Sequence, residues 1–213
     1  AVMILRVAEV AGEMTTTPPA PTALGVIPSS PGTDTTPMVT GRTIPGGIVH
    51  IYDAVDGATT PVDLFAGVPD SLAPRADAAG EFAVTLPVLS DGTHLFSAKV
   101  KSSGGLVSPF SASVQYVLDT TVPTGTITKP AVPAGQAEVA LNTPEIEFTV
   151  TAADTLSGVS RVEFDYSLDQ ATPDYDLIST DTTPETGGVY RAVWPTVGAL
   201  AGGLDDGQYL LRA

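Results

Sequence analysis

Glu145-Ile146-Glu147-Phe148-Thr149-Val150-Thr151 alternates apolar and polar residues, with Ile146, Phe148 and Val150 on one face and the glutamates and threonines on the other. A period of two is the repeat of a pleated strand with one buried face. The same alternation runs through Val162-Glu163-Phe164-Asp165-Tyr166-Ser167-Leu168, through Glu81-Phe82-Ala83-Val84-Thr85-Leu86 and through Ile48-Val49-His50-Ile51-Tyr52. Between these runs lie the breakers. The chain holds 21 Gly and 19 Pro in 213 residues, spread as brackets around the alternating runs. An interior Pro costs a helix about 3 kcal/mol and an interior Gly about 1 kcal/mol, so long helices are excluded. Many short strands separated by turn signals predict an all-β chain of antiparallel β-sandwiches, with no substantial helix.

Composition narrows the function. Cysteine is absent, which rules out a disulfide scaffold and a cysteine–zinc site. Nine Lys+Arg stand against 24 Asp+Glu, a formal net charge of −15. That sign opposes binding to a phosphate backbone, so nucleic acid is not an expected partner. The apolar runs fall short of the roughly 20 residues that span a bilayer, so no membrane insertion by this segment is expected. A surface this acidic repels its own copies and stays dispersed.

Internal repetition organises the chain. Thr15-Thr16-Thr17-Pro18-Pro19 and the following Thr22-Ala23-Leu24-Gly25-Val26-Ile27-Pro28 resemble Asp119-Thr120-Thr121-Val122-Pro123 and Thr124-Gly125-Thr126-Ile127-Thr128-Lys129-Pro130. Asp91-Gly92-Thr93-His94-Leu95-Phe96-Ser97-Ala98 resembles Asp206-Gly207-Gln208-Tyr209-Leu210-Leu211-Arg212-Ala213, and Ile4-Leu5-Arg6-Val7 resembles the end of both. The expected organisation follows from these matches. Residues 1–19 are the tail strand of a preceding repeat plus linker. Residues 20–118 are a complete repeat, and residues 119–213 a second repeat lacking its last strand. Such ends suit a window cut from a longer array, and Ala1-Val2-Met3-Ile4-Leu5 has neither the length nor the basic flank of a signal peptide. The alternative is that residues 1–13 donate a strand to a neighbouring copy.

These motifs resemble those of bacterial immunoglobulin-like (Big-type) tandem repeats. Gly41-Arg42-Thr43-Ile44-Pro45-Gly46-Gly47-Ile48-Val49-His50-Ile51-Tyr52-Asp53 is similar to the family's Gly-x-x-x-Pro-Gly-x-x-Val-x-Ile-Tyr-Asp signature. Asp91 to Ala98 is similar to Asp-Gly-x-His/Tyr-x-Phe-x-Ala, Asp119 to Pro123 to the Asp-Thr-Thr-x-Pro linker, and Asp154 to Val159 to an Asp-x-x-Ser-Gly-Val bend. The resemblance implies tandem immunoglobulin-like Greek-key sandwiches in a large cell-surface adhesin or biofilm protein. It implies an extracellular location, a stalk or spacer role, and neighbouring repeats of the same chain as partners. Two alternatives stay open. One is a segment of a surface layer, sheath or fibre in which other copies are partners. The other is an accessory module of a secreted polysaccharide-active enzyme, which would display exposed aromatics.

The resemblance also implies calcium, the one cofactor it suggests, held by carboxylates where repeats meet. Calcium takes six to eight oxygens. Asp119 in the linker and Asp154 before Ser157-Gly158 are the candidate ligands. Two departures bear on them. Lys101-Ser102-Ser103-Gly104-Gly105 stands where the family has Asp-x-Ala-Gly-Asn, and Thr15 stands where the second linker has Asp119. The competing reading makes both acids turn formers, and the acid-rich stretch from Asp165 to Asp181 a solvated loop. Catalysis is not expected. His50 and His94 are the only histidines, and Tyr209 occupies the position matching His94. No Gly-rich phosphate loop leads from a strand into a helix. Trp194, the single tryptophan, is expected in the core of the second repeat.

Overall fold

A computed structural model describes residues 16–136, 138–141, 143–168, 171–195 and 209–213. The expected strand in residues 1–13 and the Asp206-Gly207 turn lie outside the described residues. Every regular element among those described is a β-strand, and the pairings are antiparallel apart from one isolated bridge. The chain divides into two compact units, Ala1–Thr120 and Thr121–Ala213.

Unit 1 contains β1 (Thr22–Ile27), β2 (Met38–Arg42), β3 (Ile48–Val55), β4 (Val62–Asp63), β5 (Glu81–Thr85), β6 (Gly92–Lys101) and β7 (Val114–Leu118). They form two sheets, β1-β2-β5 and β4-β3-β6-β7. The chain changes sheet between β2 and β3, between β4 and β5, and between β5 and β6, which makes a Greek-key immunoglobulin-like sandwich. Alternation sets the core. On β5 only Phe82 and Val84 point inward. They meet Val39, Val49, Ile51, Phe96, Ala98, Tyr116 and Leu118, all at most 5% exposed. At about 25 cal/mol per Å² of apolar surface, this inter-sheet burial is the main stabilising force.

The turn expected at Pro45-Gly46 is present. Gly46 has φ 69°, and the Gly47 N–H donates to the Ile44 carbonyl at 3.1 Å. Pro presets the first central position of such a turn, and only Gly takes the second without strain.

Unit 2 contains β8 (Thr124–Lys129), β9 (Glu145–Ala153), β10 (Val162–Ser167), β11 (Asp176–Asp181), β12 (Val189–Pro195) and β13 (Leu210–Arg212). Its sheets run β8-β9-β12 and β11-β10-β13. Position by position this is the order of β1-β2-β5 and β4-β3-β6. Among the described residues, no strand pairs the other edge of β13. Phe148, Val150, Ala152, Val162, Phe164, Tyr190 and Ala192 form the core. Trp194 is 2% exposed, with Tyr166 and Tyr209 against it at ring separations of 4.8 and 5.5 Å.

The stretch from Asp165 to Asp181 corrects one expectation. It is not a single solvated loop. Asp165 lies within β10 and is largely buried, and the Arg212 guanidinium donates to its carboxylate at 2.6 Å. Asp176 to Asp181 form β11, which pairs along β10. The N–H groups of Thr183 and Arg191 hold the Asp181 carboxylate below the usual aspartate range.

Candidate functional site

The expectation for Asp119 and Asp154 rests on the connection between repeats. Five residues, 119 to 123, separate the end of β7 from the start of β8. The Asp119 N–H donates to the Gly32 carbonyl at 3.0 Å, and Asp119 is 4% exposed. The Thr120 N–H and hydroxyl both donate to the Asp91 carboxylate, at 3.1 and 2.9 Å. The first two residues of the connection are therefore part of unit 1. Pro123 fixes its own φ and biases Val122 toward extended backbone. Asp91 thus works twice. It opens the turn into β6 and it ties down the chain leaving β7, a role that the turn motif alone does not reveal.

Asp154 follows β9 in unit 2. Its Oδ1 accepts three backbone N–H groups, from Leu156, Ser157 and Gly158, at 3.0, 3.0 and 2.9 Å. One oxygen so engaged closes the loop by itself, the usual work of an aspartate in a bend. Among the described residues, no group of three or more His, Asp or Glu side chains stands close enough to hold a metal ion.

A direct test separates the two roles. Asp154→Ala should cost unit 2 about 1–2 kcal/mol, because three backbone donors lose their acceptor. Asp154→Asn, which keeps the oxygen, should stay within about 0.5 kcal/mol of the parent. Urea unfolding in excess calcium and in chelator measures both. A loop-closing role makes the loss equal in the two media, whereas a calcium ligand loses its effect in chelator.

The two histidines turn out to occupy opposite faces of one sheet. His50 and Tyr52 lie on the outer face of β3, half buried. The His50 Nδ1 is 3.0 Å from Asp63 Oδ2, and burial followed by the nearby Asp63 charge raises the Tyr52 phenol. Phe110 stands edge-on to Tyr52 at 5.0 Å, and the Lys99 ammonium lies 4.0 Å from the Phe110 ring centre. This is a cation–π cap over the most exposed aromatic surface of unit 1. Beside it is an open groove containing Lys101 and Arg75. Lys101 pairs with Asp70 at 2.6 Å, holding that carboxylate below its usual range, and Arg75 donates to the Gly46 and Asp70 carbonyls.

His94 lies inward, on β6. Its Nδ1 is 2.7 Å from Asp53 Oδ2 on β3, and its Nε2 is 2.9 Å from the Ser90 main-chain carbonyl. An Asp–His pair is half of a catalytic triad, but here Ser90 contributes a carbonyl in place of a hydroxyl nucleophile. Both residues are less than 5% exposed. Sequence reasoning passes over this pair. The available signal was parity, since Asp53 falls in step with inward Val49 and Ile51, and His94 with inward Phe96.

No protein-family model and no curated protein matches the chain. Among solved structures it is similar to the fibronectin(III)-like modules of Clostridium thermocellum CbhA, at 15% identity over 82% of this chain and 80% of that one, with a TM-score of 0.33.

Proposed function

We propose that the chain is a stiff spacer, a tandem pair of immunoglobulin-like units within an exported bacterial surface protein of the Big-type repeat class. Its work is mechanical: it sets a distance and carries a load between whatever precedes and follows it. The observation that carries this reading is the connection. Five residues join two complete hydrophobic cores, two of the five are bonded to unit 1 through Gly32 and Asp91, and a proline stiffens the rest. A slack tether would be longer, rich in glycine and serine, and unbonded. The acidity fits the same role, since a net charge of −15 keeps copies apart in a crowded surface layer. The accessory-module alternative is less favoured, because Lys99 covers the ring that a sugar would need to stack on.

The absence of cysteine permits clean spin labelling. Leu72 and Leu177 are 77% and 60% exposed, one in each unit. The Leu72→Cys/Leu177→Cys variant should give one narrow distance distribution by pulsed electron spin resonance. Adding Asp91→Ala should broaden it, because Thr120 then loses its anchor. A broad distribution in the parent pair sinks the spacer reading.

A further inference from the structure

We propose that His94 is held as an imidazolium inside unit 1, clamped between the Asp53 carboxylate and the Ser90 carbonyl, and that this clamp makes unit 1 lose stability as the solution turns alkaline. The argument starts from hydrogen-bond chemistry. A carbonyl oxygen only accepts, and so does a carboxylate. His94 Nε2 lies 2.9 Å from the Ser90 carbonyl and Nδ1 lies 2.7 Å from Asp53 Oδ2. A neutral imidazole has one donor and one acceptor nitrogen, so it can serve only one of these two oxygens. The imidazolium, with two donors, serves both.

The surroundings explain why the charged ring is tolerated there. His94 is 1% exposed and Asp53 is 4% exposed, so neither can turn to water. Asp53 Oδ1 has no partner among the described residues, which leaves the imidazolium as the only group that compensates this carboxylate. Removing the proton would leave a buried anion unpaired, the most costly outcome for an interior charge. The elements packed around the ring offer no competing charge. From β7, Tyr116 stands opposite His94, and its hydroxyl donates to the Asp34 carbonyl. On β6 the nearest ring is Phe96, stacked at 5.6 Å. The carboxylates of the adjoining loops are occupied, Asp91 by Thr120 and Asp56 by the Thr93 N–H.

Unit 2 supplies an internal control. Ser97 of β6 pairs with Tyr52, and Arg212, its counterpart in the repeat, pairs with Asp165. That register places Tyr209 at the position of His94 and Tyr166 at the position of Asp53. The two tyrosine rings are 6.3 Å apart. An aromatic pair therefore fills in unit 2 the space that an ion pair fills in unit 1.

The sign of the pH effect follows from counting protons. An exposed imidazole in the unfolded chain gives up its proton around pH ~6.5. Above that value the folded chain carries one proton more than the unfolded chain, so folding stability falls as pH rises. One proton changes the unfolding equilibrium constant by up to about tenfold per pH unit. Long-range ¹⁵N–¹H correlation on the full chain tests the assignment directly, with His50→Gln identifying the His94 ring. The expected result at pH 7.5 is two protonated ring nitrogens on His94. A neutral ring of either tautomer in the folded protein overturns the proposal. Urea unfolding between pH 6.5 and 8.5 should show unit 1 weakening and unit 2 unchanged. A unit 1 transition independent of pH over that range also overturns it. Where His94→Gln folds, the slope should vanish.

Discussion

Phe148→Ala is expected to remove about 3–5 kcal/mol from unit 2, the range for emptying a buried aromatic site. Phe148 is fully buried on β9 and packs edge-to-face on Phe164 at 4.9 Å. Its direct cross-strand partner is Ala192, which has no side chain to fill the space that would be left. The loss is a large share of the 5–15 kcal/mol that holds a typical domain together. The readout is built in, because Trp194 is the single tryptophan and lies buried in the same unit. Its fluorescence should follow unit 2 alone, with the urea midpoint falling sharply in Phe148→Ala. Phe148→Leu, which keeps most of the volume, should cost no more than about 1.5 kcal/mol. Unit 1 has its own core, and its amide signals should not respond. A loss below about 1 kcal/mol would mean that β9 does not present this face to the core.

The same strand shows how far the sequence could be read. The alternation from Glu145 to Thr151 placed Phe148 and Val150 inward, and both are buried. Thr36-Pro37 and Thr143-Pro144 marked the starts of β2 and β9, because the residue before a proline is pushed toward extended backbone. What escaped was pattern without contrast. Asp176-Leu177-Ile178-Ser179-Thr180-Asp181 has acids at both ends and only Ile178 packed against the core, so it reads as loop. Its strand character comes from pairing with β10, a tertiary partner that no local pattern encodes. The Asp53–His94 pair escaped for a related reason. The two residues are 41 apart in sequence and meet only because β3 and β6 are neighbours. A polar residue at inward parity was visible in each strand, but its partner was not.

Asp119 and Asp154 illustrate the limit from the other side. Both were singled out because they are acids at repeat boundaries, which says nothing about what their oxygens face. The Asp154 carboxylate faces three amides of its own loop, and the Asp119 backbone is pinned to Gly32. Local hydrogen bonding of short polar side chains is enough to place an aspartate at such a position.

Gly80→Ala and Gly188→Ala should each destabilise their own unit by about 2–3 kcal/mol, from a cause the sequence comparison did not detect. Gly80 immediately precedes β5 and Gly188 immediately precedes β12. Both have positive φ, 80° and 74°. The carbonyl of Gly80 accepts the Thr43 N–H at 2.7 Å, and that of Gly188 accepts the Ala152 N–H at 2.9 Å. A second pair of bonds closes each turn, Asp77 N–H to the Glu81 carbonyl and Glu185 N–H to the Val189 carbonyl. Asp77-Ala78-Ala79-Gly80 and Glu185-Thr186-Gly187-Gly188 share only their last residue, so the repeat is one of backbone geometry, not of side chains. A Cβ on Gly188 would lie 2.5 Å from the Ala152 carbonyl oxygen, and one on Gly80 closer still to that of Thr43. Neither obstacle can swing aside, because each oxygen belongs to the paired backbone. Gly105 is the control. Its φ is 82°, yet a Cβ there would meet nothing within 4 Å. Gly105→Ala should therefore show the dihedral strain alone, about 1 kcal/mol. Thermal unfolding of the three variants decides the matter. If all three lose the same stability, the backbone collision contributes nothing and only the positive φ matters. If Gly80→Ala and Gly188→Ala lose clearly more, the two units share a turn into their fifth strand that only glycine can close.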